Sequence, residues 1–339
     1  MNALPVVPAV VGLKFRQFRG ESDLPLLTRV IDACRDEDGL VRVFSPEDLA
    51  QQVARQANID PLEDYVVAEV EGAVVAWGSA DYRQEVDGAW VFYLSAWVVP
   101  AWRRRGIGRA ILRWQEERMR ERATRIQDTG PRFLQGWAWE SQSAKNELLV
   151  SEGYSPFSFY AYMVRPTLED IPDTSLPDGI EVRPVRPEHY RTIFESENEA
   201  FRDHPGHSEG TENDFDAFTK EPTFDPSLWR VAWDGDEVAG MVRSFIREPE
   251  NAEFGRKRGY AESISVRRPW RRKGVARALL GMSLHALQER GMEEAALEVS
   301  LANPNEALTL YESVGFEVTK KITSYRKPLA RRRIDAERT

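Results

Sequence analysis

Apolar positions in this chain fall into two series that run in the same order. In the first, "YVVAEVEGAVVAWGSA" (65–80) is a pair of apolar, partly alternating runs about a short turn, which predicts a β-hairpin. In the second, "LWRVAWDGDEVAGMVRSFI" (228–246) repeats the pattern around an Asp-Gly turn signal. Ahead of each hairpin a short strand (about 13–18 and about 180–185) leads into segments of helical apolar spacing, such as Leu24, Leu27, Val30 and Ile31. After each hairpin a third strand (about 89–99 and about 260–267) precedes a long helix (about 107–122 and about 275–290). Another strand, a shorter helix and a last strand complete each series. An antiparallel start with a strand–helix–strand finish predicts an α/β fold of the mixed α+β kind, in which each domain is a mixed, mostly antiparallel sheet flanked by helices.

The two series are copies of one unit. "AWRRRGIGRAIL" (101–112) and "PWRRKGVARALL" (269–280) match at seven of twelve places at an offset of 168. "LKFRQFRGESDL" (13–24) parallels "IEVRPVRPEHYR" (180–191), and "LLVSEGY" (148–154) parallels "LYESVGF" (310–316). Two repeats of this length each own a core, so they predict two domains. The boundaries read as a loose arm at 1–12, a first domain at 13–164, a linker at 165–179, a second domain at 180–328 and a basic tail at 329–339. Pro166, Pro172 and Pro177 make the linker stretch stiff.

Hydrophobic residues are 42% of the 339, enough for two packed cores. A net charge of −9 argues against a broad nucleic-acid surface, so no nucleic-acid partner is expected. The single cysteine, Cys34, excludes an internal disulfide and reads as packing in a helix. No apolar run is long enough to span a bilayer, and the opening residues lack a basic leader. The expectation is a cytoplasmic protein with no membrane partner, a monomer or a homodimer.

Against the acidic total, the arginines before each long helix stand out, because cations there oppose the helix dipole. A missing anion resolves the conflict. Gly274 supplies the bend, the N–H groups from about Arg272 to Ala276 form a concave nest, and Arg271, Arg272 and Lys273 add charge that a pyrophosphate would neutralise. In the first copy these roles fall to Arg103, Arg104, Arg105, Gly106, Ile107 and Gly108. A solvated basic loop is the bland alternative. A triphosphate-binding P-loop lacks its Lys-Ser/Thr, and for a dinucleotide fingerprint neither copy has three correctly spaced glycines.

"ISVRRPWRRKGVARALL" (264–280) and "LEVSLANPNEALTLYESVGFEV" (297–318) resemble the GNAT superfamily of acyl-CoA-dependent N-acetyltransferases, once per repeat over nearly the whole chain. The two-domain layout also resembles the mycothiol synthases. The resemblance implies two tandem GNAT-like domains and direct acetyl transfer from acetyl-CoA, as co-substrate, to a small-molecule or peptide amine, with no metal. It implies CoA contacts at Ile264, Val266, Asn303 and the turn 271–276 (with Val275 and Ala276), and at Val98 and the turn of the first copy. Helix capping explains Asn303 and Asn305 equally well. The Val266 N–H is implied as the group polarising the thioester carbonyl. Glu262 is the candidate base, on a strand where Glu262, Ile264 and Val266 would share one face. Tyr311 sits where the superfamily often places an acid near the CoA sulfur. Their bland alternatives are a strand-edge glutamate and a helix-packing tyrosine.

Alignment through the turns puts Leu94 in place of Glu262, and Leu149 replaces Tyr311. The C-terminal copy is therefore expected to catalyse, and the N-terminal copy to be structural or to hold CoA without turnover. Glu209, Glu212, Asp214 and Asp216 read either as an acceptor-attracting patch or as an acid-bearing helix start capped by Thr211. His204 and His207 read as surface histidines, and Trp137 and Trp139 as core. A non-catalytic acyl-CoA-binding or regulatory GNAT relative is the alternative function.

Overall fold

In the computed structural model, which describes residues 4–56, 58–302 and 307–329, each series of apolar runs becomes a sheet with helices against it. The chain forms two compact units, one of residues 1–157 with 323–339 and one of 158–322. The first unit runs β1 (Leu13–Gln17), α1 (Leu24–Asp38), α2 (Pro46–Arg55), α3 (Pro61–Asp64), β2 (Tyr65–Val70), β3 (Ala73–Gln84), β4 (Trp90–Val98), α4 (Ile107–Ala123), β5 (Arg132–Trp139) and α5 (Ser143–Ser151). β1 to β4 are antiparallel neighbours, and β5 lies parallel to β4. β6 (Ser155–Arg165) ends the first series.

The second unit repeats the plan with β7 (Ile180–Val182), α6 (Tyr190–Phe201), α7 (Glu212–Phe218), β8 (Arg230–Asp234), β9 (Glu237–Ile246), α8 (Glu248–Phe254), β10 (Arg258–Val266), α9 (Val275–Glu289), β11 (Glu294–Ser300), α10 (Ala307–Glu312) and β12 (Glu317–Pro328). β7 to β10 are antiparallel and β11 is parallel to β10. The long helices bury their apolar stripes on these sheets: Ile107, Ile111, Leu112 and Met119 from α4, and Val275, Leu279, Leu280, Leu284 and Leu287 from α9. Glycine lets each helix come close. A Cβ on Gly78 would lie 2.4 Å from Ile111, and one on Gly259 would lie 2.5 Å from Leu287.

The last strands are exchanged relative to boundaries drawn by repeat alone. β6 pairs with β11, from Tyr160 opposite Ser300 to Arg165 opposite Ala295, within the second unit. The end of β12 belongs to the first unit: Arg326 Nε donates to Gln135 at 2.6 Å, the Tyr325 hydroxyl to Asn146 at 2.7 Å and Lys327 Nζ to Glu116 at 2.8 Å. Arg326 also pairs with the buried Glu85.

Parallel pairing is short in both units. It stops at Tyr93 opposite Gln135 and at Tyr260 opposite Ala296, while β4 runs on to Val98 and β10 to Val266. Past those points the strands part, and a cavity opens beside each strand end. Among the described residues no helix is long and apolar enough to cross a membrane.

Replacing Arg326 by Ala strands the Glu85 carboxylate in the interior of the first unit, and breaking such a pair costs about 3–5 kcal/mol. Urea unfolding followed by hydrogen exchange at β5 is expected to show that loss in the first unit, with the protection of β9 in the second unit unchanged.

Candidate active site

Each cavity is built on the turn between a strand end and a long helix. In the second unit Arg271 Nε donates to the Val266 carbonyl at 2.9 Å, closing the turn onto β10. The same guanidinium donates to the Ala200 carbonyl at 2.9 Å and to Asp203 at 2.6 Å, both at the end of α6. The first unit repeats the clamp. Arg103 Nε donates to Val98 O at 2.9 Å, and its other nitrogens hold Asp38, at the end of α1, at 2.6 and 2.9 Å. Arg103 and Arg271, read from sequence as part of the charge meeting a pyrophosphate, thus already spend that charge on Asp38 and Asp203. The Arg268 and Arg271 guanidiniums hold the Asp203 carboxyl well below the usual carboxylate range.

Beyond the clamp the backbone turns left-handed twice in each unit: Arg272 (φ 62°) and Gly274 (φ 85°), Arg104 (φ 59°) and Gly106 (φ 85°). Such alternation points successive N–H groups into one concavity. The first intrahelical bond of α9 runs from Ala278 N–H to Gly274 O, so the helix leaves the N–H groups of Val275, Ala276 and Arg277 unused. No acidic side chain stands in the first turn of either helix to satisfy them.

The second cavity, about 370 Å³, is lined by Ile264, Val266, Arg271, Arg272, Gly274, Val275 and Ala276, and across from them by Tyr311. Lys273 is exposed and outside this lining. Asn303 and Asn305 lie outside the described residues. Tyr311 is 5% exposed and packs edge-on to Phe316. Burial, and after it the Glu262 charge, push its phenol above the usual tyrosine range, so it stays protonated. Glu262 itself does not line the cavity.

One expectation about Glu262 is corrected. β10 carries a bulge between Glu262 and Ser265, with Ser263 in the left-handed region at φ 51°. Glu262 pairs with Arg243 and Ser265 with Met241, so these two share a face, while Ile264 and Val266 turn to the other side. Arg243 holds the bulge, donating to Ser263 Oγ at 2.9 Å and pairing with Glu197 of α6 at 3.0 Å. The bulge also corrects the alignment of the repeats. Counted from the matched ends Val98 opposite Ala76 and Val266 opposite Gly240, the counterpart of Glu262 is Ser95, opposite Ser79, and not Leu94.

The first cavity, about 420 Å³, is lined by Val98, Arg103, Arg104, Gly106 and Gly108, with Leu149 where the second unit has Tyr311. Ile107 is buried in the core, and Arg105 stacks on Trp102 outside this lining. β4 is regular, with no bulge. Part of the described opening segment touches the first unit: Pro5 is buried, Val10 packs against the cluster that holds Ile107, and a Cβ on Gly106 would lie 3.2 Å from Pro8. On Gly274 it would meet nothing within 4 Å among the described residues. Cys34 is buried, its thiol donating to Val98 O and its pKa pushed up by burial, consistent with packing.

The acidic segment of the second unit caps and pairs. Thr211 and Asp214 form a capping box, Glu212 meets Arg191 at 2.7 Å and Glu209 meets Arg202 at 2.5 Å. His204 lines the cavity beside Phe201, and burial lowers its pKa.

Residues 31–130 and 190–316 match the model of the acetyltransferase (GNAT) family. The chain belongs to the GNAT family. With it the chain belongs to the acetyl-CoA-dependent acyltransferases. A mycothiol acetyltransferase of Thermomonospora curvata is 30% identical over 312 residues, covering 90% of this chain and 94% of that protein. One from Salinispora arenicola is 30% identical over 76% of this chain and 78% of its own. A GCN5-related N-acetyltransferase structure from Sphaerobacter thermophilus superimposes with a TM-score of 0.73 at 25% identity, over 96% of this chain and 97% of that one. A tandem GNAT protein from the clavulanic acid biosynthesis pathway shares the fold, with a TM-score of 0.65 at 15% identity over 94% and 99% of the two chains.

GNAT proteins use acetyl-CoA, and among the described residues the second turn suits its diphosphate: N–H groups that the helix leaves unused, Gly274 with open space beside it and Arg272 at the rim. Sequence reasoning missed the residues that shape this GNAT site from outside the turn, namely Asp203, Arg243, Glu197 and His204. Asp203 had a signal, since an aspartate near the end of the first helix recurs in both copies as Asp38 and Asp203.

The two clamps differ in burial, and that difference is measurable. Arg103→Ala leaves Asp38, 2% exposed, without its bidentate partner, for a loss of about 3 kcal/mol or more. Arg271→Ala leaves Asp203 with Arg268, and the cost is about 2 kcal/mol for the charged hydrogen bonds removed. Urea denaturation of the two variants is expected to rank them in that order.

Proposed function

We propose that the chain transfers an acetyl group from acetyl-CoA to the primary amine of a small molecule, and that the second unit performs the reaction. One observation carries this: of the two turn cavities among the described residues, the second joins a buried phenol to an anion turn whose N–H groups its helix leaves unused, and the strand before that turn carries Glu262. Acetyl transfer to an amine makes three demands, and each falls to a residue of this unit. Glu262, directly or through water, takes the proton that the acceptor ammonium must lose. The Val266 N–H donates to the thioester oxygen as negative charge develops there. Tyr311, held protonated by its burial, gives a proton to the departing sulfur. The first unit, with Ser95 and Leu149 at the matching places, keeps the turn but has neither proton-transfer group. The names of the relatives make an amine of the mycothiol series the first acceptor to assay.

CoA release across an amine panel tests the reading. Glu262→Gln and Tyr311→Phe are each expected to lower kcat by about a hundredfold, within the usual worth of a general base or acid, with CoA affinity changed less than about threefold. Unaltered turnover in the double variant contradicts the assignment to this unit.

Ala276→Glu separates the turn from the chemistry. A carboxylate in the first turn of α9 suits the helix dipole and is expected to stabilise the unliganded protein by about 0.3–1 kcal/mol. The same charge opposes a diphosphate, so calorimetric titration is expected to show CoA affinity reduced by about tenfold or more, one such repulsive contact costing on the order of 1.4 kcal/mol.

A further inference from the structure

The first cavity contains an amine of its own. Lys145, on α5, lines it together with Arg104, Gly106 and Gly108 of the turn, Trp97 of β4 and Asp38 of α1. Matching bonds after the two short helices, Tyr154 N–H to Leu149 O and Phe316 N–H to Tyr311 O, fix the correspondence of α5 with α10. Lys145 therefore stands where the second unit has Ala307, itself a lining residue of the second cavity. Where one unit leaves room for an acceptor and supplies Tyr311, the other supplies an ammonium group and Leu149.

Lys145 is held over a ring, with Nζ 5.6 Å from the centroid of Trp97. The carboxylates lining the same cavity are committed elsewhere. Asp38 accepts from Arg103 and from Gln142 at 2.9 Å, and Glu147 pairs with Arg104 at 2.6 Å. Burial pushes the Lys145 ammonium down to about 8; Asp38 and Cys34 oppose the shift and Arg103 adds to it. More of it is then free amine near pH 8 than of an exposed lysine. A site without a general base favours an acceptor that gives up its proton readily, and burial shifts Lys145 in that direction.

We propose that Lys145 is an acetylation site: the first cavity takes up acetyl-CoA and transfers its acetyl group, once, to Lys145 Nζ. The inference rests on acetyl-CoA being the donor of this chain, as proposed above. The Nζ lone pair forms the new bond to the thioester carbonyl carbon, and the carbon–sulfur bond breaks. CoA departs as the thiolate, and the proton released from nitrogen goes to it or to water. The product is a neutral amide over Trp97, which ends the reaction in that unit.

The test uses the full chain with acetyl-CoA and no added acceptor, followed by peptide mass spectrometry of every lysine. Lys145 is expected to be acetylated at least about tenfold faster than the exposed Lys14 and Lys220, and to be protected by excess CoA. Its rate should rise through about pH 8 and level off, with Asp38, Cys34 and Arg103 facing it, while exposed lysines continue to rise. The label should persist in the Glu262→Gln, Tyr311→Phe double variant. Labelling of Lys145 no faster than Lys14, or loss of its label in the double variant, overturns the proposal. Turnover of an added amine without a Lys145 label overturns this inference alone; absence of both overturns the donor assignment as well.

Discussion

The site depends on an arginine that ties three pieces of backbone to one point. Arg271 joins the last carbonyl of β10, the end of α6 and the start of the turn, and Arg103 does the same for β4 and α1. Only with that anchor can the chain afford two left-handed residues in quick succession, one of them an arginine rather than a glycine. The outcome is a helix start with N–H groups aimed into a cavity and, among the described residues, no acidic side chain in its first turn to satisfy them. On the proposed reading an anion would complete the turn, which would account for basic residues at the wrong end of a helix dipole.

From this shared frame the two units diverge by small steps. One extra residue in β10 makes a bulge, puts Glu262 in register with Arg243 and turns Val266 toward the cavity side. The regular β4 offers Ser95 at the same place, and Gln115 from α4 bonds the Ser79 and Ser95 carbonyls across it. Pro8 lies against Gly106, whereas Gly274 has open space beside it among the described residues. The phenol of Tyr311 gives way to Leu149, and the methyl of Ala307 to the ammonium of Lys145. None of these changes alters the order of strands and helices, so one fold supports two different cavities.

Much of this was legible in the chain. The hairpins, third strands and long helices follow from apolar spacing, and the helix expected over about 275–290 is observed at Val275–Glu289. The turn was legible because Arg-Arg-x-Gly occurs twice. The bulge was not, since "ESISV" alternates as an ordinary strand does, and an inserted residue shows only against its partner strand. That omission carried Glu262 to the wrong face and matched it to Leu94. The exchange of β6 and β12 was hidden for a related reason: pattern identifies a strand but not the sheet that takes it. The clamps were hidden because Arg103 and Arg271 look like their neighbours, and only the distant Asp38 and Asp203 tell them apart.

A crystal structure of the chain with acetyl-CoA tests the central claim most directly. The account predicts diphosphate oxygens within hydrogen-bond distance of backbone N–H groups between Arg272 and Arg277, with the acyl end between Val266 and Tyr311. Density for the cofactor elsewhere, with that turn bare, contradicts it.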